Sequence, residues 1–136
     1  MLRYYQQSGR LPVWDLHMNE NNCMIGYHSV PIIADAYLKG QIPDSLGQLA
    51  LEAMVHSAMQ PNYSGLGYFY TLGYLPSDKE NNSVSKALEY AYDDWCIAQM
   101  ARALGQDSLY HEFITHQMIA QGGCLLYTSD AADEAR

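Results

Sequence analysis

Apolar positions recur along this chain at helical spacing, and nowhere do they alternate with period two over enough residues to build a sheet. From Ser29 to Gly40, Val30, Ile33, Ala34, Tyr37 and Leu38 follow the i, i+3, i+4, i+7, i+8 order of one buried helical face. Pro31 suits the first turn of that helix, where a missing N–H costs nothing, and Gly40 suits the residue just past its end. Pro43-Asp44 announces a second helix, with the Asp44 carboxylate placed to accept the orphan N–H groups of the first turn. Leu46, Leu49, Ala50, Ala53, Met54 and Ser57 repeat its buried stripe, and Pro61 marks its exit. The short connection from Lys39 to Asp44 makes the two helices antiparallel neighbours.

The third helix runs from about Ser83, as N-cap, to Leu104, with Gly105 as the stop. Val84, Leu88, Ala91, Trp95 and Ala98 make one stripe, and Ala87, Asp94, Ile97, Ala101 and Leu104 a second beside it, so this helix is expected to be buried on two sides. A fourth begins near Asp107 and carries Leu109, Phe113 and Ala120. Residues 1–22, with Gly9, Pro12 and Asn19-Glu20-Asn21-Asn22, predict an irregular segment, and the Gly-, Tyr-, Pro- and Asn-rich residues 61–82 a long loop of the kind that often carries function. The fold class is all-α, built on about four helices.

Composition narrows the partners. The 136 residues are 49% hydrophobic and 16% charged, as expected of one globular unit, and carry a formal charge of −8 with only 7 Lys and Arg. No basic stripe is present to neutralise phosphates, so no nucleic acid and no anionic membrane surface is expected as a partner. No run of about 18 apolar residues predicts membrane insertion, and Met1 to Gln7 lacks the apolar centre of a secretory signal. Cys23, Cys96 and Cys124 form no CxxC pair; Cys23 and Cys96 read as small buried apolar residues.

Three places combine polar or titratable groups with apolar surroundings. In Trp14-Asp15-Leu16-His17-Met18-Asn19-Glu20-Asn21 an indole stands beside acids and amides, a set that suits a sugar, although on pattern alone a solvated loop with one anchoring Trp is the favoured reading. Gly26-Tyr27-His28-Ser29 precedes a buried helix N-terminus, so His28 either binds a ligand or caps the helix. In Glu89-Tyr90-Ala91-Tyr92-Asp93-Asp94-Trp95, Asp94 lies between the two apolar stripes and must be hydrogen-bonded if buried, whereas Asp93 lies on the flank with Glu89 one turn earlier. Adjacent helical carboxylates point about 100° apart, which places them poorly to share one proton or one water. A structural Asp bonded to a neighbouring helix or loop is the favoured reading of Asp94 over catalysis. P-loop, GxSxG, HExxH and EF-hand patterns are absent from the sequence.

At these same places the chain resembles glycoside hydrolase family 92. Leu11-Pro12-Val13-Trp14, Asn19 to His28, Pro31 to Gly40, Gly73-Tyr74-Leu75-Pro76 and Ser83 to Trp95 are similar to successive blocks of that family in order and spacing, over roughly residues 1–120. The resemblance implies part of an (α/α)6 barrel, with the other barrel helices and an N-terminal β-sandwich completing the enzyme, and exo-hydrolysis of an α-mannoside glycan with inversion and calcium assistance. It places both proton-transferring carboxylates and the calcium ligands C-terminal to this segment, which is therefore expected to be inactive by itself, with no catalytic and no metal residue of its own. By matching positions, Trp14, Asn19, Glu20, Asn21 and His28 are expected to contribute to the pocket wall, with Asp94 in support. The complete protein is expected in the periplasm, at the cell surface or secreted, its signal outside this sequence. The alternative is a non-catalytic carbohydrate-binding or scaffold α-domain.

Cys124 to Arg136 resembles an in-frame translation of a transposase adapter used to build sequencing libraries, so residues 1–123 are read as family sequence and 124–136 as a non-native tail. Part of a closed double ring of helices leaves faces uncovered, and exposed apolar surface with aggregation is expected of the isolated piece.

Overall fold

In the computed structural model the described residues are 1–17 and 19–118, and the expected non-native tail lies outside them. The chain enters through α1 (Leu2–Ser8), forms a two-strand hairpin of β1 (Asp15–Leu16) and β2 (Asn19–Glu20), and continues through α2 (Ser29–Leu38), α3 (Asp44–Ala58), α4 (Leu66–Leu72) and α5 (Ser83–Ala103). Residues 107–118 are helical again and are called α6 here. The four expected helices are α2, α3, α5 and α6, and among the described residues the fold is all-α apart from the antiparallel pairs Asp15 with Glu20 and Leu16 with Asn19.

The structure corrects both segments that were expected to be irregular. Residues 1–22 contain α1 and the hairpin, and residues 61–82 contain α4. Both helices have seven residues, about two turns, too short for a stripe to repeat. α4 is framed by Gly65 and Gly73, at φ 79° and 77°, so the chain enters and leaves it through left-handed residues that cost a glycine little.

Helix α5 is the hub. It packs against α2 and α3, which also pack on each other, while α1 rests on α3. Val30, Leu51, Met54, Phe69, Ile97 and Phe113 are among the fully or almost fully buried side chains that join the helices into one core. Ser57 of α3 is buried, accepts the Leu11 N–H at 3.1 Å and returns its own hydroxyl to the Ala53 carbonyl at 2.8 Å. That pair of bonds ties the segment after α1 to the end of α3 and satisfies both the Leu11 N–H and the Ser57 hydroxyl.

Several expected stripes are only partly buried. Leu38 is exposed on α2 and Leu46 on α3. On α5 the row Val84, Leu88 and Trp95 faces outward, with Tyr92 beside it, and burial is concentrated on the arc holding Tyr90, Asp93, Asp94, Ile97 and Met100. The sequence shows that the row is apolar but not whether a neighbour covers it. Asp44 makes no capping hydrogen bond, because Pro43 occupies the cap and Asp44 already sits inside the first turn. Similarly Asn82, not Ser83, is the cap residue of α5. Cys96 is buried as expected, whereas Cys23 is exposed on the segment following the hairpin.

Candidate functional site

The hairpin is organised by one side chain. Glu20 turns its carboxylate back across β1 and accepts the N–H groups of Val13, Trp14 at 3.0 Å and Asn22 at 2.7 Å. Burial alone would raise its pKa, but the donors Trp14, Asn22 and Val13, helped by the Arg10 charge, outweigh burial and hold the carboxyl below its ordinary range. The Arg10 guanidinium lies 3.3 Å over the Tyr63 ring centroid and reaches Asn22 Oδ1, to which the Tyr63 hydroxyl also donates. Glu20 is thereby occupied with the backbone of its own loop.

Trp14 stands clear of that staple, 46% exposed. It lines a cleft of about 390 Å³ whose other walls include Pro12, Met24, His28, Ser29 and Ile32. The cleft is fixed from below because the buried Ser29 hydroxyl donates to the Pro12 carbonyl, tying the start of α2 to the strand approach. His28 is the N-cap residue of α2, yet its ring makes no capping bond; Nδ1 instead lies 3.8 Å from Glu89 Oε2 on α5, and Nε2 is enclosed without a partner. Of the six expected pocket residues, Trp14 and His28 therefore share one cleft. Asn19 and Asn21 are exposed and serve local turns, Asn19 donating to the His17 carbonyl and Asn21 accepting the Cys23 N–H.

Asp94 belongs to a second, buried cluster. Its Oδ1 accepts the Tyr27 hydroxyl at 2.7 Å and the Tyr70 hydroxyl at 3.0 Å, which is the structural hydrogen bonding expected of it. Asp93, expected on the flank, is equally inaccessible: both acids are 0% exposed. Its Oδ2 accepts the Tyr27 backbone N–H at 2.9 Å. The approach that makes this bond possible depends on Gly26, where a Cβ would come within 3.0 Å of Asp93 Oδ2 and 3.2 Å of Glu89 Cβ.

Burial dominates the electrostatics of this cluster. It pushes the Asp93 carboxyl up to about 8 against the Tyr27 N–H, with Glu89 and Asp94 adding to the rise. It pushes Asp94 up to about 7 against the two phenol donors. Burial and the Asp94 charge raise the Tyr27 and Tyr70 phenols well above their ordinary value, so both remain donors. Burial likewise lifts the Cys96 thiol to about 12, which leaves it unreactive.

Tyr70 and His116 are the members of this cluster that sequence reasoning did not single out, whereas Tyr27 was noted only as a neighbour of His28 and Asp93 only as a flank residue. A signal for Asp93 was present, since it lies on the arc of Tyr90 and Ile97 at i+3 and i+7. Nothing in the spacing of Tyr70 or His116 points to a carboxylate on another helix.

The chemistry available is limited and specific. The cleft offers an indole face and an imidazole edge, which suit the C–H surface and hydroxyls of a sugar ring. Asp93 and Asp94 lie beneath the surface with protein donors and cannot touch a ligand in that cleft. Among the described residues no three His, Cys, Asp or Glu side chains converge to hold a metal ion.

Known proteins place this arrangement in context. The glycosyl hydrolase family 92 catalytic domain matches residues 1–119. An uncharacterized secreted glycosidase of Arthroderma benhamiae is 29% identical over 123 residues, covering 79% of this chain and 16% of that protein. A family 92 α-mannosidase of Bacteroides thetaiotaomicron, solved with and without mannoimidazole, superposes with a TM-score of 0.83 at 46% identity, over 89% of this chain and 16% of that one. A family 92 inverting mannosidase of the same species superposes with a TM-score of 0.78 at 32% identity, over 88% of this chain and 17% of that one. This chain thus spans about one sixth of the length of the relatives it matches.

Proposed function

We propose, from the premise that this chain belongs to glycosyl hydrolase family 92, that it is part of an enzyme removing terminal α-linked mannose from glycans with inversion of configuration. The observation that carries the reading is the match in sequence and shape to the Bacteroides α-mannosidase, 46% identical with a TM-score of 0.83. Inversion needs one carboxylic acid to protonate the leaving oxygen and a carboxylate to activate water on the opposite face, about 6.5–9.5 Å apart. Asp93 and Asp94 are adjacent, buried and already engaged, so this chain contributes walls rather than proton transfer.

Trp14 stacks on the sugar face and His28, set against Glu89, meets a hydroxyl; Glu20, Asn19 and Asn21 keep the hairpin in the shape that presents Trp14. Asp94 supports the cleft indirectly, by locking Tyr27 next to His28. Calcium belongs to the proposal for the whole enzyme, with ligands outside the described residues, as do the β-sandwich and the other barrel helices. A periplasmic, cell-surface or secreted location is supported by the secreted glycosidase relative.

The test is to read the source DNA past the codon for Gly123, express the continuous protein and follow hydrolysis of α-mannosides by NMR. Release of β-mannose as the first product is expected, with Trp14→Ala raising KM at least about tenfold if about 1.4 kcal/mol of stacking is lost. Binding of mannosides without release of mannose would move the reading to a carbohydrate-binding α-domain.

A further inference from the structure

The buried cluster holds three polar atoms without partners, Asp93 Oδ1, Asp94 Oδ2 and His116 Nδ1, and the last two face each other across a helix interface. Asp94 gives both of its donors, Tyr27 and Tyr70, the same oxygen, Oδ1, and leaves Oδ2 with no hydrogen bond in a side chain that is 0% exposed. Opposite it, 4.0 Å away, stands His116 Nδ1 of α6, itself enclosed and without a partner. Unmet polar groups at this depth are costly, and each of these atoms is the complement the other lacks. The imidazole is held in place by aromatic contacts, its centroid 4.7 Å from Tyr70 and 5.7 Å from Phe113.

We propose that Asp94 and His116 share a single proton, and that this proton latches α6 onto the buried cluster of α5. With the proton on Oδ2, neutral Nδ1 accepts it; with the proton on Nδ1, ionised Oδ2 accepts it; in either form one hydrogen bond satisfies both atoms. The ring closes the last ångström or so to reach hydrogen-bond distance. Burial favours the neutral form of each partner, which is the direction in which both groups shift, Asp94 upward and His116 downward. The ionisable groups that face the pair are Tyr27 from the segment before α2, Tyr70 from α4, Glu112 from α6 and Asp93 from α5.

Exchange with solvent has a route. His116 is 23% exposed and lines an open cleft of about 230 Å³ with Phe69, Tyr70, Leu72 and Gly73. When the proton departs at high pH, the hydrogen left on the imidazole must move from Nε2 to Nδ1 to keep a bond to the ionised Asp94, whose buried charge is then unneutralised, and the tie to α6 weakens. The latch is independent of any reaction in the Trp14 cleft.

The first experiment needs no variant: titrate the 136-residue chain labelled at aspartate Cγ and at the histidine ring nitrogens, and follow Asp94 and His116 by NMR. Two macroscopic steps with the same midpoints at both sites are expected, with Nε2 carrying the hydrogen of neutral His116. Asp94→Asn is expected to turn the His116 curve into one step displaced downward by about one pH unit or more. Independent single steps at unrelated midpoints in the unaltered chain, or a His116 curve unmoved by Asp94→Asn, overturn the proposal.

Discussion

Glu20 holds Trp14 by its backbone and not by its ring: the carboxylate lies 3.0 Å from the Trp14 N–H while the indole projects into the cleft. Replacing the carboxylate should therefore loosen the presentation of Trp14 without emptying the core. Glu20→Ala is expected to red-shift the Trp14 fluorescence and open residues 13–22 to proteolysis, with a midpoint of global unfolding close to that of the unaltered chain. The check is limited proteolysis beside denaturant unfolding, in a Trp95→Phe background so that only Trp14 emits.

Tyr27→Phe keeps the ring, and with it the stacking on Tyr90 at 5.3 Å, but removes the donor 2.7 Å from Asp94 Oδ1. A buried charged acceptor then depends on Tyr70 alone. A loss of about 1–3 kcal/mol is expected from urea unfolding, with a further rise in the Asp94 pKa because a bond to the ionised form has gone. Tyr70→Phe should act in the same direction.

Stability should fall on the alkaline side. Asp93 and Asp94 are raised to about 8 and about 7, so the folded chain retains protons that the unfolded chain releases. Their contribution is fully present below the unfolded carboxyl pKa of about 4 and is lost as pH rises through about 7 and 8. Glu20 and His116, both lowered, work in the opposite sense, losing their contribution as pH falls through their folded values. The melting temperature is expected to peak in mild acid and to drop between about pH 5 and 8. Asp93→Asn, which keeps an oxygen for the Tyr27 N–H, should flatten that drop.

The outward row on α5 should make the chain self-associate. Val84, Leu88, Tyr92 and Trp95 are each 42–52% exposed and lie on one side of one helix, beside a groove of about 330 Å³ that also involves Gln117. Leu88→Glu is expected to lower the sedimenting mass without lowering the unfolding midpoint, because the side chain is half exposed in the unaltered protein. Concentration-dependent sedimentation in both proteins checks this.

The helices most legible in the sequence were those long enough to repeat their pattern. α2, α3 and α5 begin and end within three residues of their Pro, Gly and polar punctuation. α1 and α4 were missed because two turns show no period, and the hairpin because two-residue strands alternate too briefly. In the candidate site, Trp14 and His28 came from residue chemistry and family resemblance together, and the structure brings them to one cleft. Glu20 was legible as a polar loop residue but not as the acceptor of three backbone donors, since that depends on a turn that composition does not encode. Asp94 was legible from its place between stripes, whereas the phenols that satisfy it come from 24 and 67 residues away.

The two acids of α5 grip one residue at both ends, Asp93 by the main chain of Tyr27 and Asp94 by its hydroxyl tip. Because they are consecutive, their divergence of about 100° becomes an advantage here: it spans the length of a tyrosine. A slip of one position on either side would strand a carboxylate in the interior with neither grip made. The pair therefore works as a checksum for chain alignment, in which the correct threading of the segment before α2 past α5 gives each acid a donor from Tyr27.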